Sequence, residues 1–223
     1  MKRIPLIFLG FFATLAVSWI GLVLSNQVSY GGLTPYFDAA ESRVHPEPAP
    51  GVAARGKLVY QEMGCVHCHT QQVRRPGFGA DQARGWGERQ SVPREYIREE
   101  RVVLGSNRIG PDLRNVGARI VDPIWHYLHL YDPQLTSPGS LMAPHPFLFE
   151  QREIVGEPSS HALALPASHA LPDGYELVPT ERARMLVAYL LSLKDTFAYP
   201  ETTNVYAEPE ADTEAADGAE ETN

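Results

Sequence analysis

The two cysteines of the sequence lie three positions apart and are followed at once by a histidine. Cys65, Cys68 and His69 form the pattern C-x-x-C-H, which is typical of c-type haem attachment. Two thiols at this spacing can each add to one vinyl group of the same porphyrin, and the imidazole that follows can ligate its iron. The pattern therefore predicts one covalent haem c, with His69 as an axial ligand.

Two other interpretations of the cysteine pair remain open. A redox dithiol would need a thioredoxin-like βαβ pattern around it, and the flanking sequence shows none. A zinc site would need two histidines at finger-like spacing, for which His126 and His129 are conceivable partners far along the chain. The 223 residues contain no third cysteine, so none is left over for a disulfide or a four-thiolate zinc site.

An apolar run near the N-terminus predicts a membrane anchor. Ile4 to Leu24 carries no charge, and a helix of this length spans about 30 Å, the thickness of a bilayer's hydrocarbon core. Lys2 and Arg3 precede the run, so the N-terminus is expected in the cytoplasm and the rest of the chain in the periplasm, with one pass through the bacterial inner membrane. A cleaved signal peptide is the alternative, because residues 16–18 are small.

The net charge of −8 is concentrated at the C-terminus. Residues 201–223 contain eight acidic side chains and no lysine or arginine, which leaves 19 acidic against 19 basic residues in the remainder. Such a tail cannot bury enough apolar surface to fold, so we predict that residues 200–223 are disordered. The tail either keeps the protein solvated or attracts a basic partner. A neutral, exported body makes nucleic-acid binding improbable on physical grounds.

The region between the anchor and the tail is predicted to form one mainly α domain. We assign residues 1–25 to the anchor, 26–51 to a proline-rich connector and 52–199 to the domain. Helical periodicity begins at Val52, and a second apolar stripe follows the N-cap residue Thr180. Gly56 would let these two helices cross closely, with Tyr60 and Tyr189 beside the contact. Residues 124–130 indicate a further short helix, and residues 150–179 have four prolines and no period.

The run Gly110-Pro111-Asp112-Leu113 is a candidate for one side of the haem pocket. An axial histidine usually donates its second ring N–H to a carbonyl group. A loop stiffened by proline suits that acceptor, so we expect Pro111 to accept from His69 Nδ1 and Leu113 to contact the haem face. An ordinary Gly-Pro turn explains the same residues equally well.

The second axial ligand is expected to be Met142. It lies in an irregular, proline-rich loop (residues 138–146), and ligation by Met and His raises the reduction potential. Met63 is too close to Cys65 to reach the opposite haem face, and Met185 adjoins the apolar stripe of the last helix. His145 and His126 are the alternatives to Met142.

Seven arginines are interleaved with five acidic residues between positions 70 and 101. One or two of them are expected to pair with the haem propionates, because a guanidinium group binds a carboxylate through two parallel hydrogen bonds. The others are expected to be solvated or to face a partner protein.

These motifs together resemble the membrane-anchored mono-haem cytochrome c subunit, subunit II, of cbb-type haem–copper cytochrome c oxidases. The resemblance covers residues 1 to about 150 and the last helix. It rests on the single N-terminal span and on the following runs: residues 64–71 (GCVHCHTQ), 104–113 (LGSNRIGPDL), 116–119 (VGAR), 125–133 (WHYLHLYDP) and the Met142 loop. The segment from Thr70 to Pro76 is longer than is usual in the family, Pro144 is displaced by one position, and residues 150–179 and the tail have no counterpart.

The resemblance implies a class I cytochrome c-like domain with long loop insertions. Cys65 and Cys68 match the thioether positions, His69 the proximal ligand and Met142 the distal ligand. It further implies that electrons arrive from another c-type cytochrome and pass to the membrane-embedded catalytic subunit, which reduces oxygen to water. With both axial positions filled, the chain itself is expected to move single electrons and to break no bonds.

Three alternative functions remain at this stage. The chain could be the cytochrome subunit of a related nitric oxide reductase, since the difference between the two enzymes lies in the catalytic partner. It could be a free-standing, membrane-tethered cytochrome c shuttle. A third alternative is a haem-based gas sensor in which a gas displaces Met142 from the iron.

Overall fold

The computed structural model describes residues 3–202 and begins with one long apolar helix. The α-helix α1 (Ile4–Trp19) continues through a π-helical turn (Ile20–Leu24) into α2 (Ser25–Tyr30). The whole helix is 27 residues long, an 18-residue window within it has a mean hydropathy of 2.3, and none of its side chains is buried against the rest of the protein. By length and composition this helix can cross a membrane. It continues six residues beyond Leu24, where the charge-free apolar run ends.

A short antiparallel hairpin follows the apolar helix, within the segment predicted to be an irregular connector. Strands β1 (Tyr36–Asp38) and β2 (Arg43–His45) pair in the register Tyr36↔His45, Phe37↔Val44 and Asp38↔Arg43. Three-residue strands are too short to show a clear alternation of polar and apolar residues, which is why the sequence did not reveal them.

The first and last helices of the domain cross at a glycine, as the sequence predicts. Helix α3 spans Gly51–Glu62 and α6 spans Glu181–Ser192. A Cβ atom on Gly56 would lie only 1.8 Å from the carbonyl oxygen of Met185, so no larger residue fits this contact. The rings of Tyr60 and Tyr189 meet edge to face beside it, with centroids 5.4 Å apart. Thr180 caps α6 by accepting a hydrogen bond from the backbone N–H of Ala183.

Two further helices and several single turns complete the helical part. Helix α4 spans Val116–Arg119, and α5 spans Pro123–Tyr131, with Asp122 as its N-cap. Short 3₁₀ turns lie at Cys65–His67, Pro93–Tyr96, Pro133–Leu135, Pro146–Leu148, Ala167–His169 and Pro200–Thr202. The prediction of a disordered tail is wrong for residues 200–202, which form the last of these turns because Glu201 pairs with Arg94 and the Thr202 hydroxyl donates to the carbonyl of Tyr199. From residue 203 onward the predicted tail lies outside the described residues.

The expectation that residues 150–179 are irregular is wrong at both ends of that segment. Strands β3 (Phe149–Glu153) and β4 (Tyr175–Pro179) pair antiparallel along five residues each. Three of the four prolines lie in the connection between the strands, and Pro179 ends β4. The pairing joins residues more than twenty positions apart, so local periodicity could not reveal it.

One apolar core joins the helices to this second hairpin. Its buried side chains come from α3, α5, α6 and β3–β4 and include Val59, Leu130, Leu148, Leu177, Leu186 and Leu190. Partly buried side chains of the candidate site pack against the same core, among them Met63, Cys65, Val66, Leu113 and Met142. The domain is mainly α, as predicted, and its fold brings the cysteine motif, the Pro111 run and the Met142 loop to one cluster.

Candidate haem-binding site

The cysteine motif begins immediately after the end of α3. Gly64 adopts a left-handed conformation (φ 70°) that turns the chain out of the helix. A 3₁₀ turn over Cys65–His67 follows, and the backbone N–H of His69 donates to the carbonyl of Cys65 at 3.0 Å. Both thiols are free, with Cys65 partly buried and Cys68 exposed. Burial raises the pKa of the Cys65 thiol to about 11, so this group is neutral at physiological pH.

Residues 65–72, the motif segment, run beside residues 104–114, the Pro111 segment. Three backbone hydrogen bonds of 2.8–2.9 Å join the two segments: Gln71 N to Leu104 O, Gly110 N to Cys68 O, and Leu113 N to Thr70 O. Backbone hydrogen bonds to the Pro111 segment therefore fix most of the motif segment.

The His69 ring is held by the Pro111 segment. Its Nδ1 atom lies 2.8 Å from the carbonyl oxygen of Pro111, the hydrogen bond that the sequence predicts. Nδ1 must carry the proton to donate this bond, which leaves the Nε2 lone pair available for a metal. Burial lowers the pKa of His69, which favours the neutral, ligating form. A Cβ atom on Gly110 would lie 2.3 Å from Cε1 of the ring, so the loop packs directly on the imidazole.

Asp112 is a fully buried acceptor that joins the two segments. One carboxylate oxygen accepts from the Thr70 hydroxyl at 2.5 Å and from the backbone N–H of Gln72 at 2.8 Å. The other oxygen accepts from the backbone N–H of Arg114 at 2.9 Å. Asp112 was not among the predicted site residues, although an aspartate between Pro and Leu in a predicted pocket loop is a signal that could have suggested a role for it.

The last helix also contacts the motif segment. The hydroxyl of Tyr189 in α6 donates to the side-chain oxygen of Gln71 at 2.9 Å, and both residues are buried. This hydrogen bond connects the helix crossing to the motif segment, so a shift of α6 would displace Gln71.

The Met142 loop, residues 138–146, is held largely by Gln134, whose side chain donates to the carbonyl of Ser140 at 2.6 Å and accepts from the backbone N–H of Gly139 at 2.8 Å. Met142 is partly buried against the apolar core, and its backbone N–H donates to the Ser140 hydroxyl at 3.3 Å. The backbone N–H of His145 donates to the carbonyl of Leu130 at 2.8 Å, which ties the end of the loop to α5. Leu141 is 93% exposed. Leu113, the other predicted contact residue, is partly buried against the same core.

Three other histidines lie around this cluster. His126 is buried, and its Nε2 atom lies 2.9 Å from the carbonyl oxygen of Ile120, so that nitrogen is already used. The His129 ring stacks on Trp125 with centroids 4.6 Å apart. Burial is the main cause that lowers the pKa of His129, and together with the nearby imidazoles of His69, His126 and His145 it brings this pKa to about 4. His69 and the end of the Met142 loop thus both lie near His129.

Several of the arginines that could have faced the propionates bind protein groups instead. Arg89 pairs with Glu95 and Asp195, and Arg94 pairs with Glu201. The Nε of Arg98 donates to the carbonyl of Pro46 at 2.7 Å. A further residue, Arg114, is buried and ion-paired with Glu95 and Asp195, and these charges raise its pKa. The local sequence around Arg114 did not indicate that it would pair with Glu95 and Asp195.

The donor set fits a haem better than a zinc ion. Among residues 3–202, the one group of three or more metal-ligating side chains lies elsewhere, at Asp38, Glu41 and His45. Cys65 and Cys68 have no third ligand of this kind beside them in that part of the chain. The oriented His69 ring, two free thiols and surrounding apolar side chains are the groups that a covalently bound porphyrin requires.

A family model described as "Cytochrome C oxidase, mono-heme subunit/FixO" matches residues 29–193. The chain belongs to this family. No individually curated protein matches the sequence at a significant level. The FixO match includes the hairpin β1–β2, here called the linker hairpin because it joins the apolar helix to α3, and it ends one residue after α6. The linker hairpin is therefore part of the region that the family shares.

Membership in the FixO family gives the chain its general role. It is the mono-haem cytochrome c subunit of a cbb-type oxidase complex, it holds one haem, and a catalytic subunit is its partner. The single C-x-x-C-H of the sequence agrees with one haem per chain. The resemblance recognised from the sequence motifs is confirmed, and the apolar helix agrees with a membrane location.

Proposed function

We propose that Cys65 and Cys68 bind the haem covalently through thioether bonds and that His69 and Met142 are its two axial ligands. The observation that carries this proposal is the 2.8 Å contact between His69 Nδ1 and the Pro111 carbonyl oxygen. That contact fixes the ring tautomer and leaves Nε2 free, which is how a metal-ligating histidine is commonly oriented. Leu113, packed beside the same core, contributes to the apolar wall.

The assignment of Met142 in preference to Met185 and His126 rests on the contacts that these two residues already make, and His145 stays the alternative ligand. Met185 lies at the crossing of α3 and α6, where its carbonyl oxygen faces Gly56. His126 uses Nε2 for the Ile120 carbonyl. Met142 is partly buried against the core shared with Cys65 and has only a backbone hydrogen bond within its own loop. Its thioether sulfur is therefore free to bind the haem iron.

The function that follows is single-electron transfer to the catalytic subunit. When bound, the haem supplies one iron that changes its charge by one electron, and two protein ligands on that iron leave no open position for a substrate. The chain's residues then orient the haem and exclude water, through the His69–Pro111 bond and the apolar core. Another c-type cytochrome is the proposed electron donor. The apolar helix is proposed to hold the domain on the periplasmic face of the bilayer.

Co-purification from detergent-solubilised membranes tests this function. We expect the full chain to be isolated with a larger membrane subunit, and the reduced-minus-oxidised spectrum to show c-type absorbance together with b-type haem from the partner. Rapid mixing with a reduced c-type cytochrome should then reduce the chain's haem before the b-type haem. Isolation as a haem-containing monomer would instead support a free-standing shuttle. A partner that turns over nitric oxide and not oxygen would support the reductase alternative.

A further inference from the structure

The linker hairpin brings three metal-ligating side chains together, far in sequence from the haem motif. Asp38 ends β1, Glu41 lies in the turn, and His45 ends β2. One ligand atom from each of the three lies within 4.8 Å of the other two. In the register Tyr36↔His45 and Asp38↔Arg43, Asp38 lies beside the turn and His45 lies two residues farther along the opposite strand. Residues two positions apart share one face of a strand pair, so Asp38 and His45 are diagonal neighbours on the same face of the hairpin. We name Asp38, Glu41 and His45 the hairpin cluster.

His45 is held in place, but one of its ring nitrogens has no partner. The ring stacks face to face on Phe197, with centroids 4.0 Å apart and an interplanar angle of 5°. Only 12% of the side chain is exposed. The Nε2 atom is buried and accepts or donates no hydrogen bond. A buried polar atom without a partner costs about 1–3 kcal/mol unless another group satisfies it, so Nε2 is poised for a ligand that the protein itself does not supply.

The spacing of the donors suits a small divalent cation. Nε2 of His45 lies 4.0 Å from a carboxylate oxygen of Glu41, too far for a hydrogen bond. Two ligands of a tetrahedral zinc ion are about 3.4 Å apart, given bond lengths of about 2.1 Å. Glu41 is 56% exposed and can therefore move inward by the remaining distance.

The charges around the cluster leave Glu41 available. Arg43 contacts both neighbouring glutamates, but its shorter contact, 2.7 Å, is with Glu47, whereas its contact with Glu41 is 3.9 Å. One oxygen of Asp38 accepts from the backbone N–H of Ala40 at 2.9 Å, which orients the carboxylate and leaves the other oxygen free. Two carboxylates and one imidazole thus face a common point.

We propose that the hairpin cluster binds one zinc-like divalent cation, which fastens the membrane linker to the haem domain. One imidazole nitrogen with two carboxylates favours zinc over calcium or magnesium, which prefer all-oxygen sites. The cation would add to contacts already made there, since Arg98 bonds the Pro46 carbonyl and Arg94 bonds the Thr34 carbonyl. The linker is then a fixed arm between membrane and haem, not a loose tether.

Zinc retention by the full haem-loaded chain tests this inference. The protein is stripped with a chelator, equilibrated with zinc chloride at low micromolar concentration, and dialysed; zinc and iron are then counted per chain. We expect one zinc per iron in the wild type. Asp38→Asn and His45→Phe should each weaken zinc binding at least tenfold, because each removes one ligand. In His45→Phe the new phenyl ring keeps the stacking contact with Phe197.

Controls separate this site from other carboxylates. Glu153→Gln removes one exposed acidic residue from the other hairpin and should retain zinc as the wild type does. A chain ending at Thr202 removes the seven acidic residues of positions 203–223 and should still retain one zinc. An unchanged Soret spectrum in every variant shows that the domain has folded. Equal zinc retention in Asp38→Asn, His45→Phe and Glu153→Gln, or no retention in the wild type, would overturn the proposal.

Discussion

The two chain segments proposed to flank the haem are held in opposite ways. On the His69 side, three backbone hydrogen bonds, the Pro111 contact and the buried Asp112 carboxylate fix the motif segment to the Pro111 segment. On the Met142 side the bonds are local: Gln134 holds residues 139 and 140, while Met142 itself has one 3.3 Å hydrogen bond to Ser140 and Leu141 is almost fully exposed.

This difference indicates which half of the site the polypeptide builds by itself. The His69 side is preorganised, because the His69 ring, the Thr70 hydroxyl and the Asp112 carboxylate are hydrogen-bonded to other protein groups whether or not the haem is bound. The Met142 loop is also hydrogen-bonded to protein groups, through Gln134 and Leu130, but these bonds do not involve the Met142 side chain, whose thioether is positioned by packing against the apolar core. Damage to the His69 side should therefore cost stability and haem together, whereas damage to the Met142 side should change the electronic properties of a haem that stays bound.

The largest effect is expected from Asp112→Asn. The amide keeps one acceptor but presents an N–H₂ group where two donors now point at a buried carboxylate, at a cost of about 2–4 kcal/mol. Chemical denaturation followed by the Soret band measures this loss. The matched control is Asp122→Asn, an exposed N-cap where asparagine serves equally well. If the free energy of unfolding changes by less than about 0.5 kcal/mol in Asp112→Asn as well as in the control, Asp112 does not preorganise the His69 side.

Gly110→Ala should have the next largest effect. Its Cβ would lie 2.3 Å from the His69 ring, so either the ring or the Pro111 segment must move, at about 1–3 kcal/mol. We expect lower haem content after expression and a shifted Soret maximum. Gly51→Ala, where nothing lies within 4 Å, is the control and should resemble the wild type. If both variants load haem equally well, the loop does not rest on the ring as described.

Met142→Ala probes the weaker side and should leave the haem attached. Loss of a partly buried thioether costs about 1–2 kcal/mol of folding free energy. The reduction potential should fall on the order of 0.1 V, within the roughly 0.8 V range that axial ligands span. Redox titration and carbon monoxide binding to the reduced protein measure these changes. An unchanged potential with no new ligand binding would transfer the distal role to His145, and His145→Ala would then show the fall instead.

The smallest effect concerns acid stability. Burial holds the folded pKa of His129 near 4, below the value of about 6.5 expected in the unfolded chain. The unfolded state therefore binds more protons in this interval, and stability is present above pH 6.5 and lost as the pH falls toward 4. Between pH 7 and pH 5 this amounts to about 1 kcal/mol after solvent screening.

His129→Gln should make the dependence of stability on pH shallower but should not abolish it, because burial lowers the pKa of His126 in the same direction. Urea unfolding at a series of pH values measures the slope. His161→Gln, at an exposed loop position, is the control. A slope that is identical in the two variants would exclude His129 as a source of the acid sensitivity.

The parts that local sequence predicted are those whose signal lies within one segment. The apolar stripe after Thr180, the close approach at Gly56 and the acceptor at Pro111 each follow from neighbouring residues or from one stereochemical rule. The strand pair β3–β4 joins residues far apart in sequence, and Arg114 is buried only because Glu95 and Asp195 come from two distant segments. Contacts between segments that are far apart in sequence produce no periodic pattern in the local sequence.

The most direct test of the account is whether the haem stays on the polypeptide when the fold is destroyed. The full chain is denatured in acidified acetone, and the iron and the pyridine haemochrome spectrum are measured in the pellet and in the solvent. The account predicts that all haem remains with the wild-type polypeptide, with a c-type spectrum at one iron per chain, whereas Cys68→Ala fails to retain a full complement. Release of all colour into the solvent from the wild type, or zinc in place of iron at the cysteines, would contradict it.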